Sequence, residues 1–171
     1  MIMSNECVIV CDAWRDPPKS DVEDHPHIIN ENQAFGYYLD HAIDLLKPDF
    51  KIFHVASGWE IMEQMNTEGT TILKHQFDLP TDFDKYYFCG FHFGRCVHDK
   101  PLSLYEKGFD LHRLGVVFNL SLLFPDDDYN SVREISKKRG ASIPMYNFIP
   151  SPVGFTKDFT PYIELEGDSN G

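Results

Sequence analysis

The stretch YYFCGFHFGRCV, residues 86–97, decides which fold the sequence predicts. Its apolar run Tyr86–Cys89 predicts a buried strand that stops at Gly90. A turn with a second glycine, Gly94, follows, and the residues from Cys96 onward have helical spacing. The stretch therefore predicts a strand, a glycine-containing turn and a helix, with a thiol in the first turn of that helix.

Strand and helix patterns alternate along the rest of the chain. Further apolar runs predict strands at Cys7–Cys11, Lys51–Val55, Val116–Phe118 and, weakened by its proline, Ser142–Met145. Helical spacing predicts amphipathic helices at Glu31–Leu46, Gly58–Met65, Cys96–Lys107 (closed by Gly108) and Asp127–Arg139. This alternation predicts an α/β fold, a three-layer α/β/α sandwich around a mainly parallel sheet, in a single domain of residues 1–171.

Two segments do not fit the alternation. Asp16–Asn30 is polar and contains prolines, and we expect a loop that lies over the sheet edge as a lid. The tail from Asn147 to the end contains several prolines, and we expect it to be irregular.

Composition restricts the class of partner. The formal net charge of −12 predicts a surface that repels nucleic acid and anionic membranes. The start of the sequence does not resemble a signal peptide, so we expect a cytoplasmic protein. In that compartment the 4 cysteines should be free thiols, and their spacing does not suggest a zinc knuckle. We expect a small-molecule partner and no cofactor.

The predicted sheet places candidate chemistry at one edge, because ligands of parallel sheets bind beyond the carboxyl ends of the strands. Asp12 follows the first strand, and the turn that leads to Cys96 follows the third. The unpaired amides at a helix start favour a thiolate, so we expect a lowered pKa for Cys96, although most lone cysteines are simply buried apolar residues. Lys74 ends another apolar run, where a lysine is ordinarily a solvated surface charge.

The order of these residues resembles the isochorismatase-like cysteine hydrolases, which include nicotinamidases, N-carbamoylsarcosine amidases, ureidoacrylate hydrolases and isochorismatase. The resemblance runs from about Val8 to Ile143, and its most specific part is the spacing from Gly90 through Cys96 to the pair Gly108-Phe109. The segments that carry it are VIVCDAWRD (8–16), ILKHQFD (72–78), the stretch from Tyr86 to Phe109, and LGVVFNLSLLFPDDDYNSVREISKKRGASI (114–143).

The resemblance implies a reaction and a set of residues. Asp12, Lys74 and Cys96 would form an Asp-Lys-Cys triad that cleaves a C–N bond, amide or carbamoyl-type, of a small molecule through a thioester. The backbone amides of His92 and Cys96 would hold the oxyanion, and the peptide bond entering His92 would be cis. The resemblance also implies a homo-oligomer, a dimer or larger, for which the apolar segment Leu120–Phe124 could serve as interface or core.

Three departures from the family pattern keep a second hypothesis open. Phe93-Gly94 stands where relatives usually have a threonine and an acid, and Ala13-Trp14 follows Asp12 where Met-Gln is usual. Pro101 should kink or restart the helix that begins at Cys96. The alternative is a catalytically inactive relative that acts as a ligand-binding or assembly protein.

A metal-dependent, nicotinamidase-like amidase is a further alternative. The Asp-x-His motif of those enzymes is missing around His54. Asp24, His25 and His27 could chelate zinc, but a solvated loop is the simpler interpretation. A set made of His92, Cys96 and His98 is conceivable, but a metal there would mask the proposed nucleophile.

The pocket is expected to be small and partly aromatic. Flat rings suit a planar ligand such as a heteroaromatic amide, and an arginine beside the cysteine could pair with a substrate carboxylate. The predicted pocket residues are Trp14, Phe91, Phe93 and Arg95.

Overall fold

The computed structural model of the chain describes residues 5–13, 26–56, 65–123, 130–131, 134 and 143–160. Its strands are β1 Glu6–Cys11, β2 Lys51–Val55, β3 Thr71–Leu73, β4 Lys85–Phe93, β5 Leu114–Leu123, β6 Met145–Ser151 and β7 Gly154–Thr160. Its long helices are α1 Pro26–Leu46 and α2 Cys96–Glu106.

The strands form one sheet in the order β3-β2-β1-β4-β5-β6-β7. Every neighbouring pair is parallel except β6 and β7, which are antiparallel. At the centre, Cys11, the last residue of β1, lies opposite Gly90 of β4, and β4 continues from there to Phe93. The predicted mainly parallel sheet is confirmed, and the residues that follow β1 and β4 meet at the same edge.

Alternate residues of the strands face two separate apolar cores. On one side, Ile9 and Cys11 of β1 pack in a cluster with Val97, Leu102 and Leu104 of α2. The other side of the same strand packs against α1, in a cluster of Val8, Val10, Leu39, Ile43 and Leu46. With helices on both faces of the sheet, the three-layer α/β/α prediction is confirmed.

The start of α1 and the end of α2 follow ordinary capping rules. α1 begins at Pro26, whose fixed φ suits the first residue of a helix, so residues 26–30 of the predicted lid are helical. α2 ends in a Schellman motif: Gly108 has φ +106° and donates to Tyr105 O (3.0 Å), and Phe109 donates to Leu104 O (3.0 Å). The predicted glycine cap is therefore confirmed.

Strand β4 is longer than the sequence predicted. It does not stop at Gly90 but continues to Phe93, past a break in its register with β5. A Cβ on Gly90 would lie 2.6 Å from the carbonyl oxygen of Cys11, and φ at this glycine is +110°. Gly90 is thus required for close contact between two central strands, and it is not a strand terminator.

The prediction of an irregular tail is wrong for residues 147–160, because β6 and β7 form an antiparallel hairpin there. The strand predicted at Ser142–Met145 corresponds to β6, which begins only at Met145, the last residue of that segment. Asn119 of β5 joins the hairpin to the sheet: its side chain donates to Phe148 O (2.7 Å) and accepts from Phe148 N (3.0 Å). This amide extends the contact between β5 and β6 beyond their backbone pairing, which ends at Val117 and Tyr146.

Other sequence predictions fall outside the described part of the chain. These are the lid residues before Pro26, nearly all of the helix predicted at Gly58–Met65, and most of Asp127–Arg139, where residues 130, 131 and 134 are helical. Within the described ranges, none of the helices has both the length and the apolar character that a bilayer span requires.

Candidate active site

Asp12 lies at the carboxyl end of β1 in an unusual backbone conformation. Its φ is +47°, in the left-handed region that aspartate tolerates better than most residues. Its amide donates to Val55 O at 3.0 Å, which ties it to the end of the neighbouring strand β2. The partly buried carboxylate is therefore held above the centre of the sheet, beside the end of β4.

A tight turn connects β4 to α2. The amide of Arg95 donates to His92 O (3.0 Å), and Gly94 at the third position has φ +85°, the type II pattern that requires glycine. The peptide bond between Phe91 and His92 is cis, as the resemblance implied. Cys96 follows as the first residue of the helix, where backbone amides have no acceptor within the helix.

His98 fixes this turn from the helix side. Its Nδ1 accepts a hydrogen bond from Gly94 N at 2.8 Å, and its ring packs edge-on against Phe93 with centroids 4.6 Å apart. Burial lowers the pKa of His98 to about 3, so the imidazole is neutral and Nδ1 remains an acceptor. His98 thus supplies a loop-fixing hydrogen bond in a turn where Phe93-Gly94 offers none from its side chains.

Asp12, Cys96 and Lys100 come together at this edge. The thiol of Cys96 is hydrogen-bonded to the Asp12 carboxylate, and Lys100 Nζ lies 3.0 Å from Asp12 Oδ2. Cys96 is partly exposed, whereas Cys7, Cys11 and Cys89 are buried. The arrangement combines a thiol that solvent can reach, a carboxylate in contact with it and an ammonium that compensates the negative charge.

The pKa that the sequence predicted for Cys96 has the wrong direction. Burial raises the pKa of the Cys96 thiol, Lys100 lowers it, and Asp12 raises it through its charge and its hydrogen bond; the net shift is upward. The sequence shows the helix start that favours a thiolate but not the burial and the adjacent carboxylate that oppose it. The resting form is therefore a thiol that donates to Asp12.

Lys100 keeps its charge in spite of burial. Burial lowers the pKa of Lys100, whereas the acidic groups of Cys11, Asp12 and Cys96 raise it by more, and the net shift is upward. Only 7% of the residue is exposed. The site therefore holds a buried ammonium in contact with the base candidate, on the same helix as the nucleophile candidate.

Lys74, the lysine that the resemblance implied, lies elsewhere in this structure. It directly follows the edge strand β3, it is exposed, and it has no hydrogen bond or ion pair with any described residue. Sequence reasoning missed Lys100, although a signal was present. Residues four apart lie on the same helix face, so Cys96 and Lys100 had to be neighbours once α2 was predicted.

Pro101 does not restart the helix, contrary to the prediction. α2 is continuous from Cys96 to Glu106 with Pro101 inside it. The packing of Val97 before Pro101, and of Leu102 and Leu104 after it, in the apolar core stabilises the helix on both sides of the lost hydrogen bond.

The predicted pocket residues do not share one wall. Phe91 and Phe93 are 2% and 1% exposed and pack in apolar clusters, so neither ring offers a face to a ligand in this structure. Arg95 is exposed at the start of α2, as a substrate-facing or surface arginine would be. Trp14 lies outside the described residues. His92, half-buried in the turn, is the ring at this edge that stays partly accessible.

The described residues contain no group of three His, Cys, Asp or Glu side chains arranged to hold a metal ion. His98 uses Nδ1 for the turn, and His54 is fully buried within β2. Neither ring nitrogen of His54 has a hydrogen-bond partner in the described structure, and burial lowers its pKa to about 4. The side chains of Asp24, His25 and His27 fall outside the described part.

Two solved structures are similar to this chain. One is a pyrazinamidase of Pyrococcus horikoshii in complex with zinc, with 16% identity and a TM-score of 0.47 over 84% of this chain and 99% of that one. The other is YcaC from Pseudomonas aeruginosa, with hexane-2,5-diol and covalent acrylamide, with 18% identity and a TM-score of 0.44 over 84% and 76%. No protein-family model and no curated protein matches the sequence. At these identities the likeness assigns no activity, so the function is argued from the site.

Proposed function

We propose that the protein is a cysteine hydrolase that cleaves an amide or carbamoyl-type C–N bond of a small molecule. The observation that carries the proposal is the contact between the partly exposed thiol of Cys96 and the carboxylate of Asp12, with Lys100 bound to the same carboxylate. A thiol, a base that touches it and a compensating cation are the parts that covalent catalysis by cysteine requires. The family resemblance of the sequence implies the same chemistry.

The first half of the reaction forms a thioester. Asp12 takes the proton of the Cys96 thiol while the sulfur attacks the carbonyl carbon of the substrate. The amides of His92 and Cys96 are proposed to hold the oxyanion, since Cys96 begins α2 and its amide has no acceptor within the helix. When the C–N bond breaks, Asp12 returns the proton to the departing nitrogen, and ammonia or an amine leaves.

The second half releases the acid. Asp12 accepts a proton from a water molecule that attacks the thioester, and the C–S bond breaks. The proton then returns to the sulfur, so that one water is consumed and the enzyme is restored. The raised pKa of Cys96 fits this scheme, because the thiol stays protonated until a substrate is present and the base is already in contact.

The remaining attributes are also proposals. We infer a small-molecule substrate and a homo-oligomer of dimeric or larger size in the cytoplasm. Leu120, one of the interface candidates, is 3% exposed and packs in the core, so the segment that contains it serves the fold at least in part.

A panel of small amides and carbamoyl compounds, beginning with heteroaromatic amides, tests the proposal. We expect at least one compound to release ammonia and to leave an acyl adduct on Cys96 in peptide mass spectrometry. The buried Cys7, Cys11 and Cys89 serve as internal controls and should stay unmodified. Absence of ammonia release across the panel, together with no adduct on Cys96, would refute the enzyme.

The second candidate is the inactive, ligand-binding relative. Phe93-Gly94 favours it, because neither side chain can supply the hydrogen bonds that the usual threonine and acid would give to this loop. This candidate predicts compounds that bind, shift the melting temperature and emerge unchanged. Calorimetric binding without turnover or adduct would select it.

A further inference from the structure

We propose that Lys100, on the helix that begins with the nucleophile, supplies the ammonium of this site in place of Lys74. The inference rests on the proposed function for its catalytic meaning. The question of which lysine acts on the Cys96 thiol is tested separately, without measuring turnover. Lys100 is a positioning residue, because it contacts Asp12 and acts on the sulfur through its charge.

The geometry separates the two lysines clearly. Lys100 Nζ donates to Asp12 Oδ2 at 3.0 Å, and the two side chains are only 9% and 18% exposed. Lys74 is exposed beyond β3, and β2 lies between that edge strand and β1, which carries Asp12. Neighbouring strands are about 4.8 Å apart, so Lys74 starts about 10 Å from the end of β1.

Lys100 is also held by its surroundings. Its carbonyl accepts a hydrogen bond from Ser103 Oγ at 2.6 Å, and Gln76 Nε2 donates to that same hydroxyl at 2.9 Å. The neighbouring residues Pro101 and Leu102 are buried. A side chain on such a fixed helix needs little ordering to meet Asp12, whereas an exposed lysine on an edge strand loses rotamer entropy whenever it is held.

The charges around the Cys96 sulfur come from two elements. From β1 and the residue after it, Cys11 and Asp12 face the Lys100–Cys96 pair, and from α2, Lys100 and Asp99 act on the sulfur. Lys100 is the cation that these two elements contribute. It therefore offsets Asp12 in the resting state and the thiolate when Asp12 holds the proton.

Alkylation of Cys96 by iodoacetamide, followed by peptide mass spectrometry between about pH 7 and pH 11, tests the proposal without a substrate. In Lys100→Met, we expect the midpoint of the alkylation profile to rise by about one unit or more, so that the rate at neutral pH falls about tenfold. Lys100→Arg should restore most of the profile. Lys74→Met is the matched control and should leave it unchanged.

The outcomes decide between the lysines. A shift in Lys74→Met with none in Lys100→Met would overturn the proposal. Circular dichroism checks that each variant is folded. If Lys100→Met does not fold, Lys100→Gln replaces it. The alkylation profile of Lys74→Met still shows whether Lys74 acts on the thiol. If no amide is hydrolysed but Lys100→Met alone shifts the profile, the hydrolase fails and the assignment of Lys100 stands.

Discussion

Cys89 and Cys96 belong to the same stretch of sequence but lie in opposite environments. Cys89 is fully buried within β4, and burial alone raises the pKa of its thiol. Cys96 lies just past the end of the same strand, partly exposed, with a carboxylate and an ammonium that act on it in opposite directions. The difference teaches that a thiol inside this sheet is inert, whereas a thiol at the carboxyl edge lies beside the carboxylate and the ammonium that nucleophilic catalysis requires.

The largest expected effect separates the two cysteines by activity. We expect Cys96→Ser to lower kcat/KM by at least about 10³-fold, since loss of a nucleophile removes the covalent route. Cys89→Ser should leave kcat/KM nearly unchanged and lower the free energy of unfolding instead, because it buries a hydroxyl. The measurement is steady-state kinetics on the substrate found in the amide panel. Equal loss of activity in both folded variants would contradict the comparison.

Stability should distinguish the ion pair of the site from one elsewhere. We expect Lys100→Met to lower the free energy of unfolding by about 3 kcal/mol, because Asp12 is left without its buried partner. Lys47→Met breaks the ion pair with Asp44, whose side chain is 44% exposed and screened by solvent, and should cost about 0.5 kcal/mol or less.

Urea unfolding measures both lysine variants. The double variant Asp12→Asn/Lys100→Met should recover part of the loss, since it removes both charges. A loss in Lys100→Met no larger than that in Lys47→Met would show that the site pair is not buried as described.

Mild acid should weaken the folded state through two buried histidines. The pKa of His54 is lowered from 6.5 to about 4 and that of His98 from 6.5 to about 3, in both cases by burial. The unfolded state binds more protons below about pH 6.5, so stability is complete above that pH and is lost as the pH falls towards the folded pKa values. Each histidine should cost about 2 kcal/mol between about pH 7.5 and pH 5.

Urea unfolding at the two pH values measures this loss. Since one histidine lies inside the sheet and the other beside the site, His54→Leu and His98→Gln should each remove about half of it. A pH dependence that persists unchanged in both variants would show that other groups titrate.

Apart from the control variant Lys47→Met, the smallest expected change in stability concerns His54, which lies in the interior of the sheet. His54→Leu should raise the free energy of unfolding at neutral pH by about 1 kcal/mol, because both ring nitrogens lack hydrogen-bond partners in the described structure. His98→Leu is the contrasting variant and should destabilise the protein, since it removes the acceptor of Gly94 N. Thermal unfolding of both variants decides, and a destabilised His54→Leu would imply that the ring has a partner.

The fold could be predicted further than the site. Continuous apolar runs such as Cys7–Cys11 give the central strands, because a parallel sheet covered on both faces needs apolar residues throughout. The β6–β7 hairpin was missed because Pro150 argues against a strand. The contacts that hold β6, its pairing with β7 and the side chain of the distant Asn119, do not show in a local pattern.

The site was predicted in its position but not in its full composition. Asp12 and Cys96 follow adjacent strands, so topology alone brings them together. Lys100 was not predicted as a site residue, because the order of motifs along the chain indicated Lys74. Helix geometry, however, places Lys100 beside Cys96. The direction of the Cys96 pKa shift depends on burial, which no local pattern shows.

The most direct test of the account is the pH profile of Cys96 alkylation in Asp12→Asn, compared with the wild-type protein. The carboxylate raises the pKa of the thiol it touches, so its removal should move the profile to lower pH and speed alkylation at neutral pH, with Lys100 left beside the sulfur. A folded Asp12→Asn variant whose profile coincides with that of the wild type would mean that the thiol and the carboxylate are not in contact, and the proposed chemistry would have no base.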